Sequence, residues 1–104
     1  MVMNIERSSG NVFRDLGFGP KEAASLRLRA ELMVELKRLI QVRKLTQKAA
    51  AKLFGVTQPR ISDLVRGKID LFSIETLVNM LARADIEVRL RLAPSRRTSR
   101  HEAA

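Results

Sequence analysis

Residues 46–68 read TQKAAAKLFGVTQPRISDLVRGK, and this stretch decides the fold. Thr46 stands before a helix-forming run from Gln47 to Phe54, where its hydroxyl can accept from an otherwise unpaired backbone N–H. Gly55 falls where that helix must end and the chain must turn, a place that favours a residue free to adopt positive φ. Thr57 is placed to cap a second helix, and Pro59 lies in its first turn, where a missing N–H costs nothing. Gly67 marks the end of that helix. Two caps and two glycine stops, separated by a short corner, spell two helices in a helix-turn-helix.

The apolar positions agree with this geometry. Two helices crossing steeply need small residues at the closest approach and branched apolar residues along the seam. Ala51 lies four residues before Gly55, Val56 follows the turn, and Ile61 and Leu64 are one helical step apart. With Ala50, Leu53 and Phe54 they make a continuous apolar wedge. The set Gln47, Ala51, Gly55, Val56, Ile61 and Leu64 resembles the helix-turn-helix of the Xre family, the phage-repressor and Cro-like DNA-binding domains. The resemblance is tight over 47–64 and looser over about 27–83.

Charge distribution is an independent test. The chain of 104 residues has a net charge of +9, and its location is uneven. Residues 1–36 carry five basic and five acidic groups. Residues 37–68 carry nine basic groups and one acid, Asp63, and residues 69–104 carry six and five. Nearly the whole excess therefore overlaps the helix-turn-helix, which suits a phosphate polyanion better than a merely solvated face. Stacking aromatics for single-stranded RNA are lacking, since Trp and Tyr are absent.

The length suits one small domain with arms, and 45% hydrophobic content suffices for its core. Without cysteine there is neither a disulfide framework nor a thiolate metal site. The composition points to a non-enzymatic protein with no metal or cofactor. The lone His101 lies in a polar tail, and no phosphate loop or nucleophile–base pairing occurs. No apolar run approaches a membrane span and the N-terminus lacks a secretory apolar block, so a cytoplasmic, nucleoid-associated location is the expectation.

Working outward, Pro20 and Glu22 suit a helix start, and no breaker follows before Thr46, which predicts a long helix over 20–43. Leu26, Ala30, Met33, Leu36 and Ile40 recur at helical spacing, and Leu28, Leu32 and Leu39 widen the stripe. The N-terminal half exceeds a minimal domain of this type. Its surplus apolar residues suit either a partner or packing within the monomer. After a loop over 68–72, Ser73 is placed to cap another helix running to about Arg83, with Ile74, Leu77, Val78 and Leu81 closing the bundle.

The period then changes. In IEVRLRLA, residues 86–93, the apolar Ile86, Val88, Leu90 and Leu92 alternate with charged residues, as in a half-buried strand. A single strand has two unpaired edges, so pairing with a second copy or with a partner's strand is expected. Pro94 opens a flexible tail over 94–104, and residues 1–19 read as a flexible N-terminal arm with isolated apolar residues at 12, 13, 16 and 18. The expected fold class is thus an all-α, phage-repressor-like bundle of four to five helices over 20–85, with the motif at 46–67 and one C-terminal strand.

The ordered run of SSGNVFRDLG from Ser8, the long helix, TQPRISDLVRGK and a terminal strand resembles the HigA-like antitoxins within the Xre family, over about residues 8–92. That resemblance implies a homodimer that neutralises a small RNA-cleaving toxin and represses its own operon. A stand-alone phage-type regulator and a non-specific nucleoid-type binder are the competing classes.

For double-stranded DNA with a near-palindromic operator, helical spacing turns Gln58, Ser62 and Asp63 toward the bases, with Ile61, Leu64 and Val65 on the buried side. Gln58 resembles the adenine-reading glutamine of related recognition helices. Arg60 suits a guanine or a flanking phosphate, and Asp63 an ion pair with Arg66. Gln47, Lys48, Arg66 and Lys68 are the expected phosphate anchors.

Overall fold

The computed structural model describes residues 2–7 and 20–94, with side chains from Glu22 onward. Strand β1 (Val2–Arg7) is followed by four helices: α1 (Pro20–Val42), α2 (Gln47–Phe54), α3 (Gln58–Val65) and α4 (Ile74–Arg83). A single 3-10 turn, Ile69–Leu71, lies between α3 and α4, and strand β2 (Glu87–Leu92) follows α4. The all-helical bundle and the C-terminal strand match the reading of the sequence. The stretch 8–19 and the tail beyond 94 lie outside the described residues.

The first departure concerns the N-terminus. Residues 2–7, assigned above to a flexible arm, pair in parallel with β2 in a two-stranded sheet, with Val2 opposite Glu87 and Arg7 opposite Leu92. One edge of β2 is therefore satisfied within the chain.

The core forms where the four helices meet. On α1 the stripe of Leu26, Leu28, Leu32, Met33, Leu36, Leu39 and Ile40 is buried. Leu32 and Leu36 are wholly enclosed, which at about 1.5–3 kcal/mol per side chain makes this helix the spine of the domain. Leu28 and Leu32 therefore face inward, and the surplus length of α1 is used inside the monomer rather than held out to a partner. Phe54, Ile61, Leu64, Phe72, Leu77 and Leu81 complete the centre.

Each helix ends with the same turn. A backbone N–H just past the helix end donates to a carbonyl five residues back: Leu45 to Ile40, Val56 to Ala51, Lys68 to Asp63 and Ile86 to Leu81, all at 2.9–3.0 Å. This motif puts the intervening residue in the left-handed region. Gly55 and Gly67 take it freely at φ 72° and 73°, whereas Lys44 and Asp85 adopt it at 52° and 60°.

At the helix starts, Thr46 Oγ1 accepts from the Ala49 N–H at 3.0 Å and Ser73 Oγ from the Thr76 N–H at 3.1 Å. Thr57 occupies the corresponding position before α3, yet its hydroxyl makes no capping bond, contrary to expectation. The difference lies in where the third helical N–H goes, the donor that both other caps use. A cap accepts from the second or third helical N–H. The second residue here is Pro59, which has none, and the Arg60 N–H donates instead to the Thr57 carbonyl at 3.1 Å. Thr46→Ala should consequently lower unfolding free energy by about 1 kcal/mol, while Thr57→Ala stays within about 0.5 kcal/mol of wild type in urea denaturation. Equal losses at the two sites would contradict this assignment.

Candidate nucleic-acid interface

The corner between α2 and α3 sets the position of every exposed residue on α3. Ala50 and Ala51 are buried where the two helices pack, opposite Ile61 and Leu64, which are fully enclosed. Val56 and Leu53 pack against the same cluster from its margin. At Gly55 the backbone lies in the left-handed region, and a Cβ there would meet the Arg83 guanidinium at 2.8 Å. The left-handed turn therefore selects glycine, while the exposed Arg83 side chain could move aside.

With Ile61 and Leu64 turned inward, Gln58 is exposed at the first turn of α3 and Ser62, one turn later, is half-exposed. Val65, expected on the buried side, is 39% exposed. The rotation follows from the seam: packing closes over Ile61 and Leu64, and the next apolar residue falls at its rim. Asp63 is half-buried and pairs with Lys68 at 3.7 Å, not with Arg66. The Gly67 turn folds Lys68 back over the end of α3, whereas Arg66 continues outward and is exposed.

Arg60 is engaged within the protein. Its guanidinium donates to the Leu71 carbonyl at 3.1 Å and lies over the Phe72 ring, 5.5 Å from the centroid. Arg29, from the middle of α1, reaches the same segment and donates to the carbonyls of Ile69 at 3.3 Å and Phe72 at 3.5 Å. Two arginines from different helices thus hold the 69–72 segment. Sequence reading missed Arg29, although it sits one step from Leu26 and from Met33 on the apolar stripe, where a charge requires polar partners.

Around this frame the cations are open. Lys48, Lys52, Arg43, Lys44 and Arg66 are exposed, and among the described residues none has a carboxylate within 4.0 Å. Gln47 and Lys48 occupy the first turn of α2, where the Thr46 hydroxyl satisfies the Ala49 N–H. No hydrogen bond or ion pair joins them to α3 among the described residues. The structure therefore unites Asp63 with Lys68 and ties Arg60 to the following turn, while Gln58, Ser62, Gln47, Lys48 and Arg66 stand on separate exposed ground. Among the described residues no cluster of His, Cys, Asp or Glu is suited to a metal ion, and no helix is long and apolar enough to cross a membrane.

A family described as "Helix-turn-helix domain" matches residues 12–93. The chain belongs to this helix-turn-helix domain family. That membership supports a DNA-binding regulator, consistent with an Xre-like domain. No curated protein matches the chain.

The arginine clamp makes its own prediction. Arg60→Ala should cost about 1–2 kcal/mol of stability and speed amide exchange at 69–72. Exchange there that matches wild type would show that the clamp does not hold the turn.

Proposed function

We propose that this helix-turn-helix protein is a sequence-specific repressor and the antitoxin of a toxin–antitoxin module. In this reading it binds a near-palindromic operator as a homodimer in the cytoplasm, neutralises a small RNA-cleaving toxin and autoregulates its operon. It performs no catalysis and uses no cofactor. The observation that carries the DNA half is Gln58, exposed at the start of α3 and without a polar partner among the described residues, on a helix-turn-helix that also exposes the cations Lys48, Lys52 and Arg66.

Gln58 and Ser62 then face base edges, with Asp63 at the margin beside Lys68. Gln47, Lys48, Arg66 and Lys68 hold phosphates on either side of the groove, where first-turn N–H groups and basic side chains suit anionic oxygens. Arg60, occupied by Leu71 and Phe72, supports the helix and reaches DNA only if it leaves that clamp. One such helix covers few base pairs, so useful specificity calls for two copies about 34–36 Å apart.

The antitoxin half rests on the elements beyond a minimal domain, namely the N-terminal half of α1 and the β1–β2 sheet. A stand-alone phage-type regulator is the second reading. One observation favours it: Leu26, Leu28 and Leu32 are buried within the chain, so the added length of α1 is already employed.

Two measurements separate the parts. Gln58→Ala should cost about 1–3 kcal/mol on the selected operator and relax preference at one base pair, whereas Lys68→Ala should weaken binding to all duplexes alike and reduce the salt slope by about one unit. Equal loss by Gln58→Ala on operator and scrambled DNA removes it from base reading, and an unchanged salt slope places Lys68 away from the phosphates. For the antitoxin half, co-expression with the adjacent short reading frame should rescue growth and yield a co-purifying complex. A neighbour that is harmless alone, or toxic without rescue, leaves the stand-alone regulator.

A further inference from the structure

The β1–β2 sheet is incomplete. Two-stranded sheets are marginal, and parallel pairs are normally covered on both faces. Here β2 gives one edge to β1, and among the described residues nothing pairs with the other. Its apolar row also runs out of the core. Ile86 is buried and Val88 half-buried, but Leu90 is 51% and Leu92 75% exposed.

We propose that the free edge of β2 is completed by β2 of a second copy, antiparallel and with the twofold axis at Arg89, and that this contact makes the dimer on which the proposed operator reading rests. The sequence of the strand selects both occupant and register. With the axis at Arg89, Glu87 stands opposite the partner's Arg91 at both ends. Val88 meets the partner's Leu90, and Ile86 meets the partner's Leu92. Residues directly opposite in an antiparallel pair share a face, so all apolar residues form one continuous row and both acids meet bases.

Neighbouring registers are worse. An axis at Leu90 sets Arg89 against the partner's Arg91 twice, and like charges directly opposite destabilise a pair. An axis at Val88 also sets Glu87 against the partner's Arg89, but it leaves Arg91 and Leu92 outside the ladder, because the residues they would need, Asp85 and Ala84, lie in the turn, Asp85 at φ 60°. A shift by one residue puts the apolar row of one copy on the charged side of the other. At the axis, the two copies of Arg89 face each other, and each is already neutralised by its own Glu87 at 2.8 Å. Strand β1 offers no such match, because its one acid and one base, Glu6 and Arg7, are sequence neighbours that no in-phase twofold pairing sets opposite each other. The result is a four-stranded sheet, β1–β2–β2–β1, with the overhanging leucines gathered at its centre.

The test uses the full chain in sedimentation equilibrium, with circular dichroism as a check on folding. Wild type should dimerise. Glu87→Arg and Arg91→Glu, made as separate chains, should each self-associate about tenfold more weakly. An equimolar mixture should regain dimerisation as a heterodimer, since every mismatched pair becomes complementary. A monomeric wild type, an undiminished single variant or a mixture that does not recover would each overturn the proposal. Should a variant misfold, hydrogen exchange of the unmodified chain supplies the readout. Amides within 87–92 should slow as concentration rises, and protection independent of concentration rejects the contact. Failure of the DNA reading looks different: wild type still dimerises through β2 but shows no preference among duplexes. Disruption of β2 pairing alone should spare half-site binding while lowering affinity for the palindrome.

Discussion

The close approach of α2 and α3 governs everything the surface of this domain can offer. Ala50 and Ala51 admit Ile61 and Leu64 to full burial, and Gly55 makes the corner that permits the approach. A larger residue at position 51 would separate the helices, and a side chain at 55 would meet backbone strain at φ 72°. Because burial fixes two residues three apart on an eight-residue helix, the orientation of the others follows. Gln58 and Ser62 face outward because Ile61 and Leu64 cannot.

Helix termination extends that control past α3. The turn at Gly67 returns the chain across the helix end and sets Lys68 beside Asp63, whereas the preceding Arg66 projects freely. From there the 69–72 segment is held by a 3-10 turn and the burial of Phe72, and Arg60 and Arg29 grip its carbonyls from α3 and α1. The neutralising of backbone dipoles by two guanidinium groups lets Phe72 enter the core without leaving the surrounding chain loose. α3 and α1 are in this way joined through a loop, and contacts from outside the helix-turn-helix add to its own packing in holding α3.

The motif itself was readable because its signals are local. Caps, glycine stops and apolar spacing lie within a few residues of one another, and α2 and α3 fall where those signals put them. The failures all involve distance or competition. β1 pairs with a strand some eighty residues away, and nothing in VMNIER reveals that partner. Thr57 has the residue type and place of a cap, but the Arg60 N–H that it would accept from donates to the Thr57 carbonyl instead. Asp63 was paired by helical spacing with Arg66, but the glycine turn brought Lys68 closer. Arg60 was assigned outward because its partners, Leu71 and Phe72, lie across a turn whose path no local pattern sets. Left-handed residues were legible at the glycines and hidden at Lys44 and Asp85.

Charge and apolar exposure are divided between different parts of the fold, and that division follows from the same packing. The basic excess belongs to 37–68, at the end of α1 and along α2 and α3, whereas the overhanging leucines belong to β2. α4 stands between them, packing on α2 on one side and on β2 on the other. An anionic duplex would be drawn to the first surface by long-range attraction, which weakens with salt, whereas apolar burial at the second would be short-ranged. Two surfaces driven by different forces would be occupied at once without competing. A chain this small reaches that arrangement only because α1, buried along most of its length, supports both.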